Sequence, residues 1–178
     1  SGSSFYIRDE HKWVEDNDKA VFILVKDFLF NAVQDKKSHS SKRLMEVSKA
    51  LQSTRELRVA QDAWDSCPFI LNTPAGIVDL RSGEVLDRKP EDFVTMVTQC
   101  SPVKGETPMF DRFMAETFSE ADWGENAQAV RDFVIDQLAL CLSGEQIEQL
   151  FFFWHGKGAN GKSVLMDIIK RILGEYAT

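Results

Sequence analysis

Leu150-Phe151-Phe152-Phe153-Trp154, then Gly156-Lys157-Gly158-Ala159-Asn160-Gly161-Lys162-Ser163, then Val164-Leu165-Met166-Asp167-Ile168-Ile169-Lys170-Arg171-Ile172-Leu173-Gly174 is the stretch on which the reading of this chain turns. It is an apolar run of buried-strand length, a loop of the form G-x-x-x-x-G-K-[ST], and an amphipathic helix. A triphosphate presents a dense cluster of anionic oxygens, and a backbone loop wraps it only where side chains stay clear. Glycines at 156, 158 and 161 lack Cβ and accept positive φ, so successive N–H groups turn inward as an anion nest. Asn160 is among the residues that best tolerate the same geometry. The helix that follows aims its partial positive charge at the same oxygens. Lys162 is expected to reach the β- and γ-phosphates, and the Ser163 hydroxyl to ligate Mg²⁺. The expected nucleotide-binding set is therefore Gly156, Gly158, Ala159, Asn160, Gly161, Lys162, Ser163 and Val164, with ATP and Mg²⁺ as the cofactors and Ser163 as the metal ligand. At ordinary residue abundances the bare pattern arises by chance in roughly one in 150 chains of this length. Requiring a strand before it and a helix after it lowers that figure, so a phosphate-binding loop is the better reading.

Upstream of this stretch, Glu125–Leu142 has the strongest helical pattern. Val130, Phe133, Val134, Leu138, Cys141 and Leu142 are expected along one side, and Gly144 stands where a C-terminal capping glycine belongs. Phe110–Phe118 reads as a shorter helix with Phe110, Phe113, Met114 and Phe118 inward, after a linker at Pro102–Pro108. Phe69–Leu71, Ile77–Leu80 and Glu84–Leu86, separated by turn-forming clusters, predict a small antiparallel meander. Phe93–Val97 is a candidate further strand. Nearer the start, Trp13 to about Val33 reads as helix with Asp16 or Asp18 as N-cap, Lys42–Gln52 as a second helix, and Arg55–Trp64 as a short third. The fold class expected is α+β. A mostly helical N-terminal domain with a small antiparallel β-meander, residues 5–146, leads into the first strand, P-loop and helix of a truncated α/β P-loop ATPase, residues 147–178.

The 178 residues, 43% apolar and 28% charged, are those of a folded globule. No apolar run approaches the ~18–20 residues that span a bilayer; Val21–Val25 is stopped by Lys26 and Asp27. Ser1-Gly2-Ser3-Ser4 reads as a cloning scar rather than a leader. Cys67, Cys100 and Cys141 show neither disulfide nor zinc spacing, which favours a reducing compartment and a cytoplasmic location without membrane contact. The net charge of −7 conceals an uneven distribution. Residues 36–58 hold seven Lys/Arg against two Glu, whereas residues 111–148 hold two Arg against nine acids. Overall acidity therefore does not exclude a nucleic-acid partner.

Gly158–Ser163 ahead of an aliphatic helix ending Leu173-Gly174-Glu175-Tyr176-Ala177 resembles the phage/plasmid primase–helicase family, which shares its ATPase type with the poxvirus primase–helicase and belongs to superfamily 3. Leu71-Asn72-Thr73-Pro74-Ala75-Gly76-Ile77-Val78-Asp79-Leu80-Arg81-Ser82-Gly83 resembles the N-x-x-x-G-[IV]-x-D-L-x-[ST]-G core of the domain preceding the helicase in that family, as does Arg88–Thr95. The two motifs stand in the family's order about 80 residues apart. The resemblance implies a replicative DNA helicase or primase–helicase of phage, prophage or plasmid type. It would be ATP-driven, hexameric when complete, and act on single-stranded or forked DNA. Walker B acids, sensor and arginine finger would lie beyond Thr178, so no catalytic residue is expected within these residues and negligible ATP hydrolysis is predicted from them. Two alternatives stay open: a non-catalytic oligomerisation or DNA-docking scaffold, and a P-loop ATPase of another class.

Other features have simpler readings. Lys36–Arg58 is basic enough to track a DNA backbone, yet no aromatic residue interleaves to stack bases, and a solvated helix face explains it. The Asn72–Gly76 and Asp79–Gly83 clusters read as turn geometry, with Asn72 capping its own turn. His155 has no evident partner. Phe110, Phe113, Phe118, Trp64, Trp123 and Cys141 read as core.

Overall fold

The computed structural model describes residues 4–33, 40–145, 151–155, 158 and 161–177. They fall into two compact units, Ser1–Ser66 with Lys89–Thr95, and Cys67–Arg88 with Met96–Thr178. The boundary expected between residues 146 and 147 lies outside the described residues. Mixed helices and small antiparallel sheets make the chain α+β, as its pattern predicts.

The first unit opens with a two-stranded hairpin, β1 (Tyr6–Arg8) and β2 (Trp13–Glu15), paired Tyr6↔Glu15, Ile7↔Val14 and Arg8↔Trp13. Trp13–Glu15 is thus strand, not the start of a helix. The 3.6-residue periodicity begins only at Val21, and the Trp13 N–H is taken by the Val94 carbonyl at 2.8 Å. Helix α1 (Ala20–Ala32) follows a left-handed Lys19. Asp16 fulfils the capping role expected of it from the turn ahead of Lys19, its carboxylate accepting the N–H groups of Ala20 and Val21 at 2.6 and 2.9 Å. Helix α2 (Ser41–Ser53) is capped by Ser40, whose hydroxyl accepts from the Arg43 N–H. Val25, Leu29 and Leu44 form the buried seam between α1 and α2, flanked by Val21, Val33, Val47 and Leu51. Ile23, Leu24, Phe28 and Phe30 on α1 remain exposed. The expected third helix is two 3₁₀ turns, Arg55–Leu57 and Gln61–Ala63. Trp64 sits among aromatics, stacked on Tyr6 with edge contacts to Trp13 and Phe93. Residues 93–95 are not a strand. Phe93 is left-handed at φ 46°, and the Asp65 carboxylate takes both the N–H and the hydroxyl of Thr95, so the donors a sheet needs are used by a side chain.

The second unit contains the meander β3 (Ile70–Thr73), β4 (Gly76–Asp79) and β5 (Val85–Leu86), antiparallel in that order, with Asn72 opposite Ile77 and Thr73 opposite Gly76. Asp79 accepts the Arg81 N–H, as its turn position predicts. Helices α3 (Pro108–Thr117), the short α4 (Glu120–Trp123), α5 (Ala127–Leu140) and α6 (Lys162–Leu173) complete the unit. Its core is Met114, Val134 and Leu165, with Phe110, Phe113, Phe118, Leu138, Trp154 and Ile169 packed around them. The phenylalanine stripe of α3 is core, as its spacing predicts.

Five expectations fail in this unit. Helix α5 buries Ala127, Val134 and Gln137, so Phe133, about 100° round the helix from Val134, is exposed. Cys141 follows the last residue of α5 and is exposed as well. Trp123 is exposed too, because α4 is a single turn with no buried residue. Gly144 is not a helix cap. Its N–H is bonded to the Pro68 carbonyl at 2.9 Å, and a Cβ there would stand 3.2 Å from Pro68 Cα. Finally, Phe151–His155 form no strand. Among the described residues β3–β5 pair only with one another, so this run has no strand beside it to share a ladder. Phe151 and Phe153 are exposed, at 87% and 79%, and only Trp154 turns into the core.

Candidate phosphate-binding site and the anchor of its helix

Helix α6 opens at Gly161, left-handed at φ 76°, and Gly158 before it is at φ 93°, so both glycines hold the positive φ expected of them. Gly161 is constrained twice. Besides its φ, a Cβ there would lie 2.6 Å from Thr117 Oγ1 and 3.2 Å from the Phe113 ring, so the end of α3 is packed against the loop. Having no side chain, Gly161 supplies no cap, and the helix starts with the Leu165 N–H donating to the Gly161 carbonyl at 2.9 Å. Lys170 and Arg171 occupy the last turn, where they complement the negative end of the helix dipole. Gly156, Lys157, Ala159 and Asn160 lie outside the described residues.

Lys162 is half-buried, Ser163 and Val164 are exposed, and Leu165 is fully buried. Lys162, Ser163 and Asp167 line a cavity of about 570 Å³ together with Gln137, Phe152 and Trp154. The Trp154 indole N–H donates to Gln137 Oε1 at 3.0 Å, which holds the residues leading to the loop against α5. Sequence reasoning missed Thr117, Gln137 and Trp154 as supports of the loop. The apolar run containing Trp154 was visible, but its docking on a glutamine 17 residues upstream carries no local signal. Cys141, on the same cavity, donates its thiol to the Gln137 carbonyl rather than packing in the core. His155 stacks on Phe153. Among the described residues no group of three or more His, Cys, Asp or Glu could hold a metal ion. A cation here would depend on the Ser163 hydroxyl and the phosphates themselves. The guanidinium of Arg112 has its pKa raised by a hydrogen bond and charge interaction with Glu116 one turn along α3, and does not line the cavity.

The opposite end of α6 is anchored in the meander. Asn72 is completely buried, and its side chain is bonded to segments beyond its own turn. Its amide Nδ2 donates to the Met96 carbonyl at 2.7 Å, its Oδ1 accepts from Arg88 Nε at 2.7 Å, and its N–H donates to the Tyr176 hydroxyl at 3.2 Å. Arg88 Nη2 reaches on to the Thr73 carbonyl. The Thr98 N–H pairs with the Asn72 carbonyl, and the Gln99 N–H with the Ile172 carbonyl at the end of α6. The Glu175 carboxylate accepts the Val97 N–H at 2.9 Å. Gly174, at φ 58°, makes this approach possible, since a Cβ there would stand 2.8 Å from Gln99 N. The bond to Glu175 occupies the donor of Val97, the last residue of the strand expected at Phe93–Val97.

In the first unit, Lys42, Arg43, Lys49, Arg55 and Arg58 are exposed, and Arg43 pairs with Glu46 at 3.4 Å. Lys36 and Lys37 lie outside the described residues. No described helix is long and apolar enough to cross a membrane.

Comparison with known proteins places these features in a family. The model described as "D5 N terminal like" matches residues 1–119, which include the hairpin, the α1–α2 pair and the whole meander. The protein named "Putative helicase L207/L206" from Acanthamoeba polyphaga mimivirus is 28% identical over 115 residues, 62% of this chain and 11% of that protein. The chain thus spans about a tenth of that relative's length. The loop and α6 lie beyond the matched family residues. With residues 1–119 of 178 matched, the chain belongs to the D5 N terminal like family, the region that precedes the helicase in phage and viral primase–helicases.

Proposed function

We propose that this chain is the pre-helicase region of an ATP-driven replicative DNA helicase or primase–helicase, joined to the phosphate-binding segment of its motor. The observation that carries the reading is the opening of α6. A left-handed, uncapped Gly161 precedes Lys162 and Ser163 at the wall of a cavity, in the same chain as the family's matched region, which ends at residue 119. The residues present fit a nucleotide phosphate and its cation. A side chain at Gly161 would collide with Thr117, and the helix start it leaves bare is one that accepts anionic oxygens. Lys162 supplies positive charge to the phosphates, Ser163 supplies a hydroxyl to Mg²⁺, and the Val164 N–H lies in the first turn of α6. Bound Mg²⁺ would neutralise charge on the phosphates during transfer to water. In the whole protein the motor would act on single-stranded or forked DNA as a ring, hexameric when complete.

Calorimetric titration of the chain with Mg²⁺–ATP tests this: heat of binding is expected, and Lys162→Ala is expected to abolish it. Equal binding by both proteins would refute the reading. A scaffold role in oligomerisation or DNA docking is favoured by the exposed apolar residues of α1. Sedimentation distinguishes it, since a ring formed by these residues alone would support the scaffold. A P-loop ATPase of another class is disfavoured by the family match upstream of the loop.

A further inference from the structure

The buried polar cluster at Asn72 has no part in the phosphate site, yet it holds the far end of the helix that forms it. Asn72 and Thr73 are among the most deeply buried side chains of the chain, and both belong to the motif by which the family resemblance is read. A buried amide is costly unless its donors and acceptors are met. Here the partners that meet it come from three other segments: Arg88, the Met96 carbonyl and the Tyr176 hydroxyl. From this cluster the chain runs to Val97 and Gln99, whose N–H groups bind the Glu175 carboxylate and the Ile172 carbonyl. The C-terminal end of α6 is therefore held by two main-chain donors, one half-buried hydroxyl contact and a glycine that admits the close approach.

An α-helix of 12 residues is a rod about 18 Å long. Leu165 is fully buried where that rod meets Met114 and Val134, and Gly161 abuts Thr117 at its beginning. A rod fixed at its end and packed along its side has little freedom to translate or rotate. The placement of Lys162 and Ser163 is thereby set partly by residues at the opposite end.

We infer that Asn72, Glu175 and Tyr176 are positioning residues for the phosphate-binding loop, acting through α6, and that nucleotide binding at the loop tightens their bonds in return. The inference rests on the loop reading given above. Coupling of this kind is reciprocal: a bond that helps the loop to bind is strengthened by what the loop binds. The family motif at 71–83 then serves the motor as a socket for its first helix, beyond making a turn.

The test uses the whole chain with Mg²⁺–ATP as the probe. Glu175→Ala removes the acceptor of the Val97 N–H and is expected to weaken binding about three- to tenfold, the effect of one absent hydrogen bond. Glu175→Gln retains a side-chain carbonyl in the same place and is expected to restore most of the affinity, a rescue that general destabilisation would not produce. Tyr176→Phe removes only the hydroxyl that accepts the Asn72 N–H, and serves as the second variant should Glu175→Ala fail to fold. Hydrogen exchange supplies the reciprocal readout. Mg²⁺–ATP is expected to slow exchange at the amides of Asn72, Val97 and Gln99 in the wild-type chain and not in Lys162→Ala. Lys162-dependent binding with unchanged exchange at those amides, and with wild-type affinity in the Glu175 and Tyr176 variants, overturns the inference while leaving the loop reading intact. Absence of any Lys162-dependent binding overturns both.

Discussion

Truncating Leu165 to alanine asks whether α6 is built into the core of its unit or merely follows it in the chain. Leu165 is fully buried and touches the cluster of Met114 and Val134 contributed by α3 and α5. Removing a fully buried leucine forfeits its transfer free energy and leaves a cavity, together about 3 kcal/mol with a range of about 2–5. Val164, the preceding residue on the same helix, is 52% exposed, so Val164→Ala changes helix composition by a comparable step with little effect on packing. Its cost is expected to stay under about 1 kcal/mol. The assay is urea unfolding followed by tryptophan fluorescence and, separately, by far-ultraviolet circular dichroism, because two units need not unfold together. At about 2–4 °C per kcal/mol for a chain of this size, Leu165→Ala should also lower the melting temperature of the second unit by about 6–12 °C. If Leu165→Ala costs no more than Val164→Ala, α6 is not part of this core. The argument that its far end positions the loop then loses its mechanical basis.

Three further outcomes follow from the same geometry. Gly161→Ala is expected to destabilise the chain more than Gly158→Ala. Both incur the cost of a left-handed alanine, about 1–2 kcal/mol, but only at 161 does the new methyl meet Thr117 and Phe113, and comparative thermal melts decide it. Reversing Lys42 and Arg43 to glutamate is expected to lower any affinity for labelled single-stranded DNA and to flatten its salt dependence by about one unit of slope for each phosphate no longer neutralised; equal anisotropy curves would remove α2 from the DNA path. The chain itself is expected to show negligible ATP hydrolysis in a phosphate-release assay, and turnover abolished by Lys162→Ala would contradict that.

What can be read from residue order alone follows the range of the interactions involved. The α1–α2 seam, the α3 stripe, the meander and α6 with its left-handed glycines are set by neighbours within a few positions, and their patterns foretell them. Trp13–Glu15 escapes such a reading because a strand of three residues is too short for its alternation to stand out, and the Val94 carbonyl that accepts the Trp13 N–H belongs to a distant segment. Residues 93–97 have strand-like composition, but the donors of Thr95 and Val97 go to Asp65 and Glu175, partners that no local window contains. The buried face of α5 differs from the apolar one by a single step, since Gln137 is buried by its bond to Trp154 whereas Phe133 is left outside. At the phosphate site the motif residues are evident in the sequence. The supports around them, Thr117 and the socket at Asn72, come from distant segments and become visible only in three dimensions.

The composition of the first unit carries a consequence for biosynthesis. Its residues are not contiguous: Val94 and Phe93, which supply a main-chain acceptor to Trp13 and a ring to Trp64, belong to a piece that the ribosome adds only after the entire meander has been made. The residues of this unit that precede the meander must therefore wait, with their tryptophan cluster unfinished, until residue 95 has left the exit tunnel. Truncations ending at residue 66 would leave that cluster permanently open, and an expression boundary intended to isolate this unit must include residues 89–95.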